Sequence, residues 1–361
     1  MSNDKKLEDI RNRIDSLDEQ IQSLISERAK CAQDVATIKQ STDKDVDYYR
    51  AEREAVVLRK ILDRNQGPLS DEEMARLFRE IMSACLALEE PMKIAFLGPE
   101  GTFTQSASLK HFGHSVNTVP LGAIDEVFRE VESGAANYGV VPVENSTEGV
   151  INHTLDMFLD SSLSISGEVE LRIHQHLLST EQNIKDIKRI YSHQQSLAQC
   201  REWLDANMPN VERISVASNA EAARLSKNEK ASAAIAGEIA AQIYELDMLV
   251  NNIEDDPDNT TRFLVVGRSS TTPSGHDKTS ILISTPNKPG ALHNLLEIFS
   301  KNKISMTRIE SRPSRRGMWD YVFFIDIEGH KMDKGVASAL HDLEQETSIL
   351  KVLGSYPCAV L

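Results

Sequence analysis

Apolar residues recur every three or four positions through residues 1–90, which is the spacing of amphipathic helices. The first run has heptad spacing and predicts one long helix with apolar positions Leu7, Ile10, Ile14, Leu17, Ile21, Leu24, Cys31, Val35 and Ile38. A second helix is predicted over residues 47–63, with a stop at Gly67 and Pro68. A capping box at residues 70–73 begins a third helix, which ends before Pro91. We therefore expect an all-helical domain, and the seam of its long helix requires a partner chain.

Short apolar runs alternate with helical patterns in residues 92–268, which indicates an α/β domain. Runs at 94–97 and 138–143 predict buried strands, and a polar turn follows each of them. The same sequence of strand and polar turn recurs near residue 192. Each turn alone is more often structural, but ligands of open α/β sheets bind at the carboxyl ends of strands. Together the turns favour a small anionic ligand in the cleft of a two-lobed fold.

The last segment, residues 277–361, follows a polar linker that contains Pro273 and Gly275. Its predicted order is βαββαβ, with strands at 279–285, 304–311, 318–327 and 349–355 and helices at 291–301 and 334–346. This order is ferredoxin-like. The chain is thus expected to contain three domains, at 1–90, 92–268 and 277–361.

Composition excludes several classes of protein. The formal net charge of -15 argues against non-specific nucleic-acid binding. The polar N-terminus lacks a signal-peptide pattern, and no apolar run is long enough to span a membrane. The cysteines are far apart and form no CxxC pair; they are Cys31, Cys85, Cys200 and Cys358. We expect a reduced, cytoplasmic protein without a metal site.

Three basic residues lie on or beside the apolar seam of the first helix. Arg28 falls on the seam, and Arg11 and Lys39 flank it. A charge on such a seam must be paired or must meet a ligand, although basic residues of a solvated helix can also snorkel. Arg11 and Arg28 are ~26 Å apart along one helix, at a rise of ~1.5 Å per residue. If both serve one small ligand, Arg11 must come from a partner chain packed antiparallel.

With these residues the segment resembles the all-α chorismate mutase domain, an intertwined helical dimer. The residues that carry the resemblance, and the implied catalytic set, are Arg11, Arg28, Lys39, Arg53, Glu54 and Glu89. The resemblance implies a pericyclic rearrangement of chorismate to prephenate, without nucleophile or cofactor, by positioning and by charge stabilisation on the ether oxygen. Lys39 and a protonated Glu89 are the candidates for that oxygen, which predicts a preference for mildly acidic pH. Arg50 and Cys85 depart from the family pattern, in which an acid and a small hydroxyl are common.

A polar cluster runs directly into a β-branched strand at residues 259–267. Thr261 offers a hydroxyl that can donate a proton to a leaving group. The planar fork of Arg262 can hold both oxygens of a carboxylate. A surface strand with a polar cap is the alternative. A second candidate is the Gly-rich turn at 98–105, which leads from a strand into a helix N-terminus and can cradle an anion.

The α/β segment resembles prephenate dehydratase over its whole length. The matching motifs lie at 98–103, 141–146, 192–193, 199–200 and 261–263. The resemblance implies a two-lobed fold like that of periplasmic binding proteins, and loss of CO2 and water from prephenate to give phenylpyruvate. It makes Thr261 the acid or proton relay, and Arg262 is the candidate for a substrate carboxylate. The expected substrate-binding residues are Thr102, Glu144, Asn145, Ser146, Ser192 and Phe263.

The C-terminal segment resembles an ACT domain, which binds amino acids in pairs across subunit interfaces. The motifs at 287–292 and 310–313 carry the resemblance. The helix N-terminus after Gly290 suits a carboxylate, and the expected ligand is L-phenylalanine acting as an inhibitor. The expected allosteric residues are Asn287, Gly290, Ala291, Leu292, Glu310 and Ser311. A purely structural dimerisation module is the alternative.

Together the three resemblances predict a bifunctional enzyme of phenylalanine biosynthesis. Its ligands would be chorismate, prephenate and L-phenylalanine, with no cofactor, nucleic acid or membrane involved, in a homodimer or higher homo-oligomer. One alternative keeps only the dehydratase, with the helical domain as a dimerisation scaffold. The other is a non-catalytic binding protein, in which the two lobes form an effector module.

Overall fold

The computed structural model describes residues 3–42, 49–285, 289–313 and 321–360. These residues form a helical part, a two-lobed α/β part and a small α/β sandwich, so the predicted fold class is confirmed. Among the residues described, none of the helices combines the length and the apolar character that a membrane crossing requires.

The N-terminal part consists of helices α1 (Asn3–Thr42), α2 (Ala51–Arg64) and α3 (Asp71–Ala87). Ser70 caps α3, because its side chain accepts a hydrogen bond from the backbone N–H of Glu73 at 3.2 Å. This is the first half of the predicted capping box. Helices α2 and α3 pack against each other through Leu58, Ile61 and Ala75.

Helix α1 leaves its apolar seam uncovered within one chain. The side chains of Leu7, Leu24 and Ile38 are 48%, 64% and 66% exposed, and the other seam residues from Ile10 to Val35 are exposed as well. A helix of this length spans ~60 Å at ~1.5 Å per residue, so the uncovered stripe is long. A contiguous apolar stripe of this kind marks an interaction surface.

The α/β part extends over residues 93–267. Its strands are β1 (Lys93–Leu97), β2 (Asn117–Leu121), β3 (Tyr138–Asn145), β4 (Gly149–Val150), β5 (Ser164–Arg172), β6 (His176–Ser179), β7 (Arg189–His193), β8 (Glu212–Val216), β9 (Ser232–Ala236), β10 (Asp247–Val250) and β11 (Thr260–Gly267). Its helices are α4 (Phe103–Phe112), α5 (Ile124–Glu132), α6 (Asn152–Asp160), α7 (Gln194–Gln199), α8 (Arg201–Asn207), α9 (Asn219–Asn228) and α10 (Glu238–Tyr244).

These strands form two separate sheets, one for each lobe. The first has the order β2-β1-β3-β11-β5, with β4 on β3, and the second has the order β10-β6-β9-β7-β8. The chain leaves the first lobe after β5, builds the second lobe, and returns as β11 between β3 and β5. The strand that carries Thr261 is therefore the return crossing, which places its start at the junction of the lobes.

The C-terminal part contains strands β12 (Asp277–Ser284), β13 (Met306–Pro313), β14 (Tyr321–Glu328) and β15 (Ile349–Pro357), with helices α11 (Ala291–Lys301) and α12 (Lys334–Glu346). The four strands are antiparallel in the order β13-β14-β12-β15, and the two helices pack on the sheet around Ile281, Leu295 and Leu343. The predicted βαββαβ order is confirmed.

The C-terminal sheet packs directly on the first lobe. Leu264 and Val266 of β11 share one apolar core with Leu282, Phe324 and Leu353 of the C-terminal strands. At the edge of this contact Gly354 lies so close to β5 that an added Cβ would be 2.2 Å from the carbonyl oxygen of Ile165. The absence of a side chain at this position is what lets the two backbones approach.

The helical part is fastened to the other two parts. The guanidinium of Arg59 donates to the carbonyl oxygens of Ser274 and His276 in the linker, at 3.2 and 2.8 Å. The ring of Tyr49 packs against Phe112 and Tyr138 of the first lobe, with centroid separations of 5.1 and 5.3 Å.

Candidate active sites

Asn145 and Thr261 face each other across the ladder between β3 and β11. The amide Nδ2 of Asn145 donates a hydrogen bond to Thr261 Oγ1 at 2.8 Å. Both residues are buried, with 7% and 8% exposure. Because the Thr261 oxygen accepts this bond, its own proton remains available for another acceptor. The pair therefore presents an oriented hydroxyl donor.

The turn after β3 determines which way the Asn145 amide points. The backbone N–H groups of Thr147 and Glu148 donate to Asn145 Oδ1 at 3.1 and 3.0 Å. Since an N–H group can only donate, the amide oxygen must face the turn and Nδ2 must face Thr261. The orientation of the pair thus follows from backbone geometry.

Asn259 is a residue of this site that the sequence reasoning did not select. Its Oδ1 accepts a hydrogen bond from Asn145 Nδ2 at 2.8 Å, and the residue is 1% exposed. Its Nδ2 is buried and has no hydrogen-bond partner among the described residues. A buried donor without a partner is costly, so its position next to the Asn145 amide marks a place for a ligand acceptor. The polar start of the segment 259–267 was the available signal.

Arg262 points away from Thr261. Successive residues of a strand face opposite sides of the sheet, so these two neighbours cannot share one face. The Arg262 guanidinium instead lies 2.8 Å from Glu168 and 2.6 Å from Asp326, and it donates to the hydroxyl of Tyr356 at 3.0 Å. The structure thus separates Arg262 from Thr261, against the expectation that both act on one substrate.

Phe263 and Glu144 also occupy other positions than the cleft. Phe263 is 2% exposed and packs in the core with Ile94 and Phe96, where it supports β11 from below. The carboxylate of Glu144 pairs with Arg308 of the C-terminal sheet at 3.0 Å. Phe263 is thus enclosed by the core, whereas Glu144 keeps 38% of its side chain exposed beside its ion pair.

The turn after β1 joins the two lobes. Thr102 is the N-cap of α4, and its hydroxyl donates to the carbonyl oxygen of Leu97 at 3.2 Å. The backbone N–H of Gly101 donates to the side chain of Gln105, and Tyr244 of the second lobe donates to the carbonyl oxygen of residue 100 at 3.2 Å. The predicted anion cradle therefore lies where the lobes meet.

Ser146 and Ser192 have internal partners. The Oγ of Ser146 accepts from the backbone N–H of Thr260 at 3.0 Å, which ties the turn after β3 to the start of β11. Ser192 is fully buried, and its hydroxyl lies 2.9 Å from the carbonyl oxygen of Ile235 and 3.0 Å from Asn219 Oδ1. Ser192 holds the second lobe together at the end of β7 rather than facing a ligand in this structure.

The helical part brings Lys39 and Glu89 together. Burial raises the pKa of Glu89, and the charge of Lys39 opposes this increase. The direction agrees with a glutamic acid that holds its proton at mildly acidic pH. Arg28 is half-buried and Arg11 is exposed on the same helix α1.

Arg53 and Glu54 diverge, although they are adjacent on α2. Arg53 is exposed, whereas Glu54 is half-buried and pairs with Arg79 at 3.5 Å. Burial raises the pKa of Glu54 to about 7, against the opposing charge of Arg79. Glu54 lines a cavity of about 30 Å³ where all three parts of the chain meet, and other residues of its lining are Tyr49, Lys110, His111, Glu168, Cys358 and Val360. The structure thus places Glu54 at this junction, and neither Lys39 nor Glu89 lines the cavity.

The C-terminal residues expected to bind an amino acid lie on two elements. Gly290 has a φ of +84°, in the left-handed region, and is the N-cap of α11, where Ala291 and Leu292 form the first turn. Glu310 and Ser311 lie on the edge strand β13. Asn287 lies outside the described residues.

Three family models match the chain in consecutive blocks. The model described as chorismate mutase type II matches residues 10–90, the prephenate dehydratase model matches residues 94–271, and the ACT domain model matches residues 279–345. Their order along the chain is the order of the three structural parts.

Relatives match over the whole chain. The bifunctional chorismate mutase/prephenate dehydratase of Stutzerimonas stutzeri is 61% identical over 365 residues, covering 100% of both chains, and that of Pseudomonas aeruginosa is 60% identical with the same coverage. The chain belongs to the bifunctional chorismate mutase/prephenate dehydratase family. Both predicted activities are thereby confirmed, and both catalytic domains are present. This disfavours the two alternatives of a dehydratase on a helical scaffold and of a non-catalytic binding protein.

A solved structure of similar fold is the prephenate dehydratase of Arthrobacter aurescens in complex with L-Phe. It is 35% identical to this chain with a TM-score of 0.68, and the match covers 73% of this chain and 89% of that one. It corresponds to the dehydratase and ACT domains of the bifunctional enzyme.

Several residues near these sites could not be selected from the sequence. Most of them contact a residue of another domain of the bifunctional enzyme. Asp326 and Arg308 belong to the ACT domain but contact residues beside Asn145 and Thr261. Arg79 of the mutase domain pairs with Glu54 and donates to the carbonyl oxygen of Val360 at 3.2 Å. No local pattern in the sequence announces such contacts.

Proposed function

We propose that Thr261, oriented by Asn145, delivers the proton to the departing hydroxyl of prephenate. The carbon–oxygen bond breaks as the oxygen takes the proton and leaves as water. The bond between the ring and its carboxylate breaks as well, and CO2 is released. The electron pair of that bond passes to the ring, which becomes aromatic. The 2.8 Å hydrogen bond from Asn145 Nδ2 to Thr261 Oγ1 carries this proposal, because the Thr261 oxygen accepts in it and keeps its own proton for donation.

A threonine hydroxyl is a weak acid, so the proton reaches the substrate by relay. Thr261 passes on its proton and regains one from water, with Asn145 Nδ2 stabilising the oxygen during the exchange. The large driving force of aromatisation leaves the enzyme mainly the tasks of orientation and proton supply. A relay of this kind fits the buried position of the pair.

The carboxylates of prephenate require donors other than Arg262. We assign one to the backbone N–H groups at the start of α4, beside Thr102, where the helix N-terminus favours an anion. The unpaired Asn259 Nδ2 supplies a further donor. This assignment uses groups from the turn after β1 and from the start of β11, which meet at the junction of the lobes.

For the mutase reaction the candidate residues are Glu89, Lys39 and Arg28 of one chain and Arg11 of a partner chain. Lys39 and Arg28 both lie on α1. The support is the proximity of Lys39 to Glu89 and the exposed seam of α1. Arg53 stays a candidate, whereas Glu54 would have to leave its pair with Arg79 to act on chorismate.

The exposed apolar seam of α1 predicts a dimer, which sedimentation of the purified protein tests. Ile14→Glu should produce monomers with little mutase activity, whereas Glu19→Gln, on another face of α1, should not.

For the ACT domain we propose L-phenylalanine as an inhibitor, bound by Gly290, Ala291, Leu292, Glu310 and Ser311. The support is the matching domain and the L-Phe complex of the Arthrobacter aurescens relative. That the enzyme is cytoplasmic remains a prediction.

One coupled assay tests the whole proposal. Purified enzyme receives chorismate, and chorismate loss and phenylpyruvate formation are followed with and without L-phenylalanine. We expect both reactions to proceed and phenylalanine to slow the second. Unchanged phenylpyruvate formation at saturating phenylalanine would contradict the assigned inhibitor.

A further inference from the structure

We propose that Arg262 and Glu144 are positioning residues through which the ACT sheet holds the Asn145–Thr261 pair in place. The proposal rests on the proposed role of that pair in the dehydratase reaction. It assigns Arg262 a partner in another domain in place of the substrate carboxylate expected from the sequence.

The ladder between β3 and β11 joins the two pairs of residues. Thr261 stands opposite Asn145, and Arg262 stands opposite Glu144, so the reacting pair and the proposed positioning pair are consecutive rungs of one ladder. A displacement of the second rung moves the first, because the two are joined by the same two backbones.

Both residues of the second rung are held by the ACT sheet. Arg262 lies 2.6 Å from Asp326 on β14, and Glu144 lies 3.0 Å from Arg308 on β13. The side chains of Arg262, Asp326 and Arg308 are 12%, 8% and 12% exposed. Solvent therefore screens the Arg262–Asp326 pair weakly, whereas Glu144 is 38% exposed and its pair with Arg308 is held mainly from the Arg308 side.

All three guanidinium nitrogens of Arg262 contact protein groups. Nε and Nη2 both approach Glu168 Oε2, at 2.9 and 2.8 Å, and Nη2 also donates to Tyr356 while Nη1 donates to Asp326. Glu168 is itself neutralised by Lys278 at 2.7 Å. A substrate carboxylate would have to displace at least one of these buried acids to reach Arg262.

Strand β13 connects this arrangement to the expected amino-acid site. Arg308, Glu310 and Arg312 alternate along β13 and share its half-buried face. Arg312 pairs with Asp156 of α6 at 2.8 Å, so the strand is fastened to the dehydratase domain on both sides of Glu310. A ligand that shifts β13 therefore also displaces Arg308 and the Glu144 carboxylate that is paired with it.

Two buried donors of the interface lack partners. Arg308 Nη2 and Arg312 Nε are buried and have no hydrogen-bond partner among the described residues. The cavity beside Arg262, Arg308 and Asp326 has a volume of only about 10 Å³, so the domains are closely packed there. A shift of β13 that brought either donor to an acceptor would add a contact, so the interface can gain hydrogen bonds by moving.

The test uses Arg308→Gln and Asp326→Asn in the full-length enzyme, with prephenate as substrate. We expect kcat to fall about 10–100-fold, as for a misplaced catalytic group, with KM changed less than about threefold. Mutase activity, measured on the same preparations, should stay unchanged and reports that the chain is folded. Arg213→Gln, which removes an ion pair with Asp205 in the second lobe, is the matched control and should have wild-type kcat.

Calorimetry separates binding from transmission. In Arg308→Gln we expect L-phenylalanine to bind within about threefold of the wild-type affinity while its effect on dehydratase kcat is lost. If either variant fails to fold, Tyr356→Phe removes one hydroxyl contact of Arg262 and should lower kcat in the same direction.

Wild-type kcat in Arg308→Gln and Asp326→Asn would overturn the proposal. So would a KM at least tenfold higher in Arg262→Lys with unchanged kcat, because that result identifies a substrate ligand. The role of Thr261 is tested separately by its own substitution, so failure of the catalytic assignment and failure of the positioning role are distinguishable.

Discussion

Thr261 and Arg262 are neighbours in the chain, yet their side chains lie on opposite faces of β11. Thr261 accepts a hydrogen bond from Asn145 at the junction of the lobes, whereas Arg262 is enclosed by Glu168 and Asp326 under the ACT sheet. One short motif therefore presents a hydroxyl on one face of the strand and a contact to the ACT domain on the other.

Thr261→Val should abolish dehydratase turnover and leave the mutase intact. Valine has nearly the same shape but no proton to give, and loss of a positioned acid costs about 10²–10⁴-fold in rate. Phenylpyruvate formation from prephenate measures the first activity, and chorismate loss measures the second. Thr261→Ser keeps the hydroxyl and should retain much of the rate. Survival of dehydratase activity in Thr261→Val would show that the assignment is wrong.

Mutase kcat/KM should fall as the pH rises from 5 to 9. Burial raises the pKa of Glu89, and only the protonated acid donates a hydrogen bond, so activity declines as the pH passes through that raised pKa. Glu89→Gln carries a permanent amide donor and should have a flatter profile. Glu90→Gln, at the exposed neighbouring position, is the control. A flat wild-type profile over this range would contradict the role of Glu89.

Protonation of Glu54 should stabilise the junction of the three domains. Its folded pKa of about 7 lies above its ordinary value of 4.5, so this stabilisation is complete below pH 4.5 and is lost as the pH rises through 7. We expect the melting temperature of Glu54→Gln to change less between pH 5 and pH 8 than that of the wild type. Asp63→Asn, an exposed change on the same helix, should follow the wild type. Parallel wild-type and Glu54→Gln curves would argue against a Glu54 that titrates with a raised pKa.

Gly354→Ala should destabilise the enzyme by about 1–3 kcal/mol, which is the usual cost of overpacking. The added Cβ would lie 2.2 Å from the carbonyl oxygen of Ile165, and backbone cannot yield as a side chain can. Thermal or urea unfolding measures the change in free energy. At Gly335 of α12 the nearest atom to an added Cβ is 3.5 Å away, so Gly335→Ala should be neutral or slightly stabilising. Equal stabilities of the two variants would mean that β5 and β15 are not in close contact.

The helix pattern of residues 1–90, the alternation of strands and helices after it and the final βαββαβ order could all be predicted from the chain. Each depends on local periodicity, on capping residues such as Ser70, or on turn residues such as Gly290, and these act within a few positions. Asn145 and Thr261 could be selected for a similar reason. Asn145 lies in the polar turn that follows an apolar strand, and Thr261 lies in the polar cluster where another apolar strand begins.

The partners of these residues could not be predicted in the same way. That Arg262 meets Asp326 and that Glu144 meets Arg308 depends on how separate domains pack, and no short-range pattern encodes a contact between residues 64 positions apart or more. The elements, the order of the three domains and the hydroxyl donor at the start of β11 follow from the sequence. What each face of β11 meets follows from the tertiary structure, because alternation along a strand sends neighbouring side chains to opposite sides and packing between domains determines their partners there.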